Sequence, residues 1–299
     1  MSSFIKAAEI WHPDARGLTL ELGSSYYGEL NEFAAVSKDA IFRFGEGLPG
    51  RTWAERRPLV WANLENGEFK RVDAAKSAGI ACGLSIPIFA GEFLLAVVVL
   101  FFAKDEETTG AVEVWENIPG SNNELKLADG YYGELKQFEW VSRRLAVIRG
   151  RGLPGMAWKL GVPFIIDDIG ESNTFLRARN ARASGITTGL AIPIMSQQSD
   201  VQILTFLSAK DTPIARRFEI WLPDAAHRHL NFSAGHCETG NHLAAQFADA
   251  PIAKGDGPLG EAWLTGKPVI AEIQGEDTRM LILPVIASGL LTAMVVFVF

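Results

Sequence analysis

Gly47-Leu48-Pro49-Gly50, followed by Trp53, returns as Gly152-Leu153-Pro154-Gly155 followed by Trp158. It returns again, altered, as Gly257-Pro258-Leu259-Gly260 followed by Trp263. Both steps are 105 residues (152 − 47 and 257 − 152). Solenoid units repeat at ~20–50 residues, so a period this long is a small domain copied. Working outward, Glu9-Ile10-Trp11 matches Glu113-Val114-Trp115 and Glu219-Ile220-Trp221. Tyr26-Tyr27-Gly28-Glu29-Leu30 matches Tyr131-Tyr132-Gly133-Glu134-Leu135, where the third copy has His236-Cys237-Glu238-Thr239. Ile86-Pro87-Ile88 matches Ile192-Pro193-Ile194 and, weakly, Leu283-Pro284-Val285. The last step shortens (193 − 87 = 106 but 284 − 193 = 91), so the third copy has lost about one helix between Trp263 and Pro284. The expected division is 1–104, 105–210 and 211–299.

Within the first copy, Ala7–Trp11 and the alternating Leu18, Leu20 and Leu22 read as a hairpin. Gly28–Val36 holds a turn or two of helix. Pro49–Arg56 is a helix with proline near its start, where a missing N–H costs nothing. Pro58–Ala62 is a short strand, and Phe69–Ala78 a helix ended by Gly79. Gly83–Phe89 and Phe93–Phe102 form a second hairpin; Pro87 requires an edge or bulge in its strand. The fold class is therefore α+β, each copy a central antiparallel sheet of about five strands with short helices on one side.

Composition narrows the function. The 299 residues carry a net charge of −7, with 48% hydrophobic and 21% charged residues. A globular chain of this charge lacks the basic footprint that nucleic acid or an anionic membrane needs. No apolar run reaches the ~20 residues of a spanning helix, and no signal-peptide pattern opens the chain. Cys82 and Cys237 occupy unmatched positions, which implies no disulfide framework and suits the cytoplasm.

The order Gly-x-Gly-Leu-Pro-Gly-x-x-Trp, a short x-Pro-x-x-Trp strand, Phe-x-Arg, Gly-Leu-x-Ile-Pro-Ile and an apolar strand ending Phe-Phe resembles the GAF domain family, closest to GAF domains of bacterial sensor and signalling proteins. The first copy matches from Glu46 to Phe102, the second from Arg151 to Leu207. The third matches only in Gly257–Ile270 and its last two strands. The resemblance implies a pocket on one sheet face, roofed by the middle helices. In the first copy it would be lined by Phe44, Trp53, Trp61, Phe69, Arg71, Cys82 and Ser85. In the second the lining would be Trp158, Ile166, Asp168, Phe175, Arg177, Thr188 and Ala191. Members of the family bind cyclic nucleotides, bilins, haem, small acids or nothing detectable. Arg71 and Arg177 align; each either holds a carboxylate or phosphate bidentately or pairs with a loop carboxylate such as Asp73 or Asp168. Trp53, Trp158 and Trp263 read as core.

The long helices that usually flank a GAF sheet have no room here, since Ala103–Val112 and Ser208–Phe218 are too short. The apolar sheet backs must then be covered by one another or by a second chain. The last strand of the second copy, with Gln202 and Thr205, implies a partly wet back. His227, His229, His236, His242 and Cys237 cluster in the third copy, but without a zinc spacing; no metal or other cofactor is expected. The reading is a non-enzymatic, cytoplasmic signalling protein that binds a small molecule in copy one or two. It acts through an unidentified protein partner or self-association. The alternative is an interaction module with filled pockets. A third reading is a Cys82-dependent enzyme like the GAF-type free methionine sulfoxide reductases.

Overall fold

The computed structural model describes residues 3–65, 68–103, 109–118, 120–121, 123–195, 201–240, 242–273, 275 and 278–299. The first copy runs β1 (Ile5–Pro13), β2 (Thr19–Tyr26), α1 (Asn31–Lys38), β3 (Ile41–Arg43), α2 (Gly47–Glu55), β4 (Leu59–Trp61), α3 (Val72–Ser77), β5 (Ile80–Ala90) and β6 (Phe93–Ala103). The second runs β7 (Gly110–Asn117), β8 (Glu124–Tyr131), α4 (Lys136–Ser142), β9 (Ala146–Ile148), α5 (Gly152–Leu160), β10 (Phe164–Ile166), α6 (Ala178–Ala183), β11 (Ile186–Met195) and β12 (Val201–Ala209). The third runs β13 (Arg217–Pro223), β14 (His229–Cys237), α7 (Leu243–Phe247), β15 (Ile252–Ala253), α8 (Gly257–Thr265), β16 (Val269–Glu272), β17 (Arg279–Ala287) and β18 (Leu290–Val298). Among the described residues it has no counterpart of α3 and α6, as the shortened spacing requires.

Each copy is one antiparallel sheet of six strands, ordered β3-β2-β1-β6-β5-β4 and repeated in the other two. The sixth strand, β3, was not expected; three residues are too few to show alternation, yet they pair with Thr19–Glu21. A register shift recurs before Trp11, Trp115 and Trp221. Pro87 lies beyond the stretch of β5 that β4 covers, so no partner misses its N–H on that side.

The repeated glycine motif has a steric cause. Gly47, Gly152 and Gly257 take φ of 58°, 61° and 59°, a left-handed conformation that glycine adopts without penalty. At Gly50, Gly155 and Gly260 a β-carbon would collide with the carbonyl oxygens of Arg43, Ile148 and Ala253. The motif thus seats a helix directly on the sheet's edge strand.

The sheet backs cover one another. Ile10, Leu84, Ile86, Val98 and Leu100 of the first copy share one buried cluster with Val114, Leu190, Leu204 and Phe206 of the second. Ile220, Leu283, Val295 and Phe297 of the third complete it. Each such side chain contributes ~1.5–3 kcal/mol when removed from water. Thr205 points to the opposite face, so the back of the second copy is dry apart from Gln202; the expected wetness is corrected by strand alternation. Pro87, Pro193, Pro284 and Gln202 meet around a shared cavity of about 80 Å³.

Contacts between copies run head to tail. Tyr26, Tyr131 and His236 hold one register position, opposite Ala8, Val112 and Phe218. Each touches the preceding copy: Tyr26 stacks on Phe299 at 4.7 Å, Tyr131 Oη donates to Ala103 O at 3.3 Å, and His236 Nδ1 lies 2.9 Å from Asp167 Oδ1. Three identical steps close a ring. The 210–216 connection carries no helix; Phe4 N and Ile5 N donate to Pro213 O and Ile214 O. Residues 104–108 of the other connection lie outside the described residues. No helix among the described residues is long and apolar enough to cross a membrane.

A sheet back this apolar cannot face water. Residues 1–103 expressed alone are predicted to aggregate or self-associate on size exclusion, whereas the full chain does not; a well-behaved monomeric fragment would contradict mutual shielding.

Candidate functional site

Opposite the shared core, each copy keeps a second apolar face under its helices, where a ligand pocket was expected. In the first copy Glu9 sits there, fully buried in mid-strand. The bulge at Ile10/Trp11 brings Trp11 beside it, and Trp11 Nε1 donates to Glu9 Oε2 at 2.9 Å. Tyr27 Oη donates to Oε1 at 2.9 Å. Arg71, at the foot of α3, reaches both carboxylate oxygens, with Nη2 3.0 Å from Oε2 and Nη1 bonded to Oε1 and to Ser37 Oγ. The guanidinium carbon lies 4.7–5.8 Å from the ring centres of Trp11, Phe33, Phe42, Phe69 and Phe101.

The second copy repeats the arrangement. Glu113 accepts from Trp115 Nε1 at 2.9 Å and Tyr132 Oη at 2.8 Å, and from Arg177 through both guanidinium ends. Arg177 also bonds Ser142, and Phe138 and Phe175 line its faces. Thr205 adds a bond to Glu113 at 2.7 Å; Val99 holds that position in the first copy, paired with Glu9 as Thr205 is with Glu113. Burial pushes the Glu113 carboxyl up, but the charge and hydrogen bonds of Arg177, with those of Thr205 and Tyr132, outweigh it and hold the pKa below its ordinary 4.5. The Tyr132 hydroxyl is driven far up by burial and by Glu113.

The third copy keeps only the carboxylate and the indole. Glu219 accepts from Trp221 Nε1 at 2.7 Å, but Cys237 replaces the tyrosine and no arginine helix is present among the described residues. Phe33, Phe138 and Leu243 stand the same distance after Tyr26, Tyr131 and His236 (33 − 26 = 138 − 131 = 243 − 236 = 7), which puts Phe247 where Ser37 and Ser142 sit. Its ring lies 5.1 Å from Trp221, occupying the arginine's room. Arg217 Nε, 2.7 Å away, is left to balance Glu219. Burial there prevails, and the Glu219 pKa is raised.

The expected lining residues separate into three groups. Arg71 lies against Phe69 in the first copy and Arg177 against Phe175 in the second. The partner of each arginine is not Asp73 or Asp168 but a strand glutamate, because only the strand carboxylate reaches under the helix. Ser85 faces the same side, buried and without a hydrogen-bond partner among the described residues. Trp61 joins Phe69, Asn63 and Glu68 at a cleft of about 330 Å³. Trp158 is core, capped by Arg149 at 5.5 Å. Phe44 is 61% exposed and merely meets Trp53 edge-on at the surface.

Three residues belong elsewhere. Cys82 alternates with Leu84 on the shared-core face, fully buried; burial and then Asp129 push its thiol well above the ordinary range. Thr188, its counterpart, and Asp168 line a cleft of about 600 Å³ between the second and third copies, with His236 and Cys237. His227 and His229 are exposed, and no group of three metal-ligating side chains forms among the described residues. The residues that sequence reasoning missed are Glu9 and Glu113. An acid repeated inside an otherwise apolar strand was the available signal.

The family model described as GAF domain matches residues 7–118. Residues 7–118 belong to the GAF domain family. The second and third copies share the strand order and bulge of this GAF domain and are GAF-like. Similar solved structures include an A. aeolicus nlh2 GAF domain in an inactive state, at 24% identity over 34% of this chain and 60% of that one, with a TM-score of 0.28. Staphylococcus aureus NreA, mutated in its nitrate binding site, is 18% identical over 33% and 73%, with a TM-score of 0.27. Free methionine-R-sulfoxide reductase from Neisseria meningitidis, in complex with its substrate, is 17% identical over 34% and 57%, with a TM-score of 0.27. The chain thus spans about 60% of the first of these and 57% of the last. Likeness at this level carries no argument about ligand or activity. No curated protein matches the chain.

Removing one member of a buried ion pair strands the other, at a cost of ~3–5 kcal/mol. Glu113→Ala is predicted to lower unfolding free energy at pH 7 by about that amount, measured by urea denaturation. The sign with pH follows from the lowered pKa: the stabilisation is present above the unfolded value of 4.5 and is lost as pH falls through the lower folded value. The gap between wild type and variant should therefore narrow in acid.

Proposed function

We propose that this protein is a non-enzymatic, signalling-type GAF protein that works through protein contact, with two of its three GAF cavities closed by an internal ligand. The observation that carries this reading is the bidentate Arg71–Glu9 and Arg177–Glu113 pairing inside aromatic walls. A small anion seeking either arginine would have to displace a buried carboxylate and leave it unpaired, which costs several kcal/mol. In the third copy Phe247 fills the room instead. Two sealed cavities and one plugged cavity leave the outer surface as the part able to respond. The apolar shell around Cys82 and its raised pKa oppose thiolate chemistry, which removes the support for a sulfoxide-reducing role. A cytoplasmic setting fits two free cysteines.

A second reading, small-molecule sensing by the first copy, is favoured by the cleft beside Trp61, Asn63, Glu68 and Phe69. Glu68 is already paired with Arg51, which lies over Trp61, so a flat neutral molecule suits this aromatic wall. The two readings part in a thermal-shift screen of the full chain against nitrate, carboxylic acids, nucleotides, cyclic nucleotides and amines. Filled cavities predict no ligand-dependent rise in Tm. A saturable rise, abolished by Trp61→Ala, would establish the sensor reading and sink the first.

A further inference from the structure

The copies differ most where they face solvent. In the first, the outer face of α2 is ionic. Arg51 pairs with Glu55 one turn on and with Glu68, and Glu46 at the N-cap pairs with Lys70 at 2.7 Å. The same positions in the second copy, 105 or 106 residues on, are Met156, Leu160, Thr174, Arg151 and Leu176. Every acid of that surface is gone: the Arg51–Glu55 pair has become Met156 and Leu160, and Lys70 has become Leu176.

These replacements line up. Gly152, Met156 and Leu160 follow one another at i, i+4 and i+8 along α5, one stripe about 12 Å long. Leu176 packs over Gly152 at its start. Leu160 and Leu176 are 49% and 48% exposed, and Met156 is half-buried. Cations border the stripe: Arg151 at the N-cap, Arg149 over Trp158, and Lys159 beside Leu160. None of the three has an acidic partner among the described residues, whereas Arg143 and Arg182 nearby are paired with Glu139 and Glu171. Arg151 also sits at the positive end of the helix dipole, where a negative group would be favoured. The chain as a whole is acidic, so this basic, apolar strip is a local exception.

We infer that the α5 stripe of the second copy is a docking surface for an acidic amphipathic helix of a partner protein. Its apolar face would lie along Met156, Leu160 and Leu176, and its carboxylates would meet Arg149, Arg151 and Lys159. Apolar contact supplies the burial; the unpaired cations set polarity and exclude basic partners. The inference rests on the contact-based function above and names the surface that carries it.

The test uses the full chain and a labelled synthetic helix with leucine on one face and glutamate on the other, read by fluorescence anisotropy. Two double variants install residues that the first copy already accommodates: Met156→Arg with Leu160→Glu, and Arg151→Glu with Leu176→Lys. Circular dichroism and Tm check that both fold. The expected result is saturable, salt-sensitive binding to wild type, weakened at least about tenfold in each double variant. The same peptide with lysine for glutamate should not bind. Absent binding, equal binding by the lysine peptide, or folded variants that bind like wild type would each overturn the proposal. So would tighter binding to phosphatidylserine vesicles, or chain self-association that Met156→Arg with Leu160→Glu abolishes. A metabolite-induced Tm rise with peptide binding intact would refute only the closed-cavity reading.

Discussion

Every sheet in this protein has two apolar faces, and each copy carries helices for only one of them. That constraint organises the rest. Ile10, Leu100, Leu204, Phe206, Val295 and Phe297 meet in one interior that no single copy owns. The head-to-tail contacts through Tyr26, Tyr131 and His236 bring the third copy back to the first, so that all three backs close on one another. The 210–216 connection is correspondingly spare, and it is itself tied to the start of the first strand through Pro213 and Ile214.

The helical faces tell a different story, of one design kept in two copies and reduced in the third. The first and second copies hold a glutamate, an arginine, a tyrosine and a tryptophan in a closed set of hydrogen bonds. The third has no arginine helix among the described residues, has Cys237 in place of the tyrosine, and has Phe247 in the arginine's space. Glu219 remains, with burial raising its pKa and one largely buried arginine opposing it. A buried pair of this kind is poor evidence for stability but fixes geometry, since both partners must be met at once. It occupies the ground that a ligand would need.

Much of this was legible in the chain. The 105-residue step gave the three copies, and the strand alternation gave both hairpins of each. The glycine motif marked the helix seated on the sheet edge. The absence of flanking helices pointed to mutual cover. What escaped had physical reasons. β3 and its counterparts are three residues or fewer, below the length at which period two is visible. Cys82 and Thr188 were put on the pocket side because the face of a strand flips with every residue, and the register shift between Ile80 and Cys82 offsets a simple count. The arginines were found, but their partners were sought in nearby loops. Glu9 and Glu113 are 62 and 64 residues away in sequence, a distance that only the fold closes.

Native-state hydrogen exchange on the full chain reads the shared interior most directly. If the three backs form one core, the slowest amides of β6, β12 and β18 should open with a common free energy, agreeing within about 1 kcal/mol and equal to that of global unfolding. Three separate values, or one copy opening far below the other two, would mean that the sheets are independent domains that merely touch.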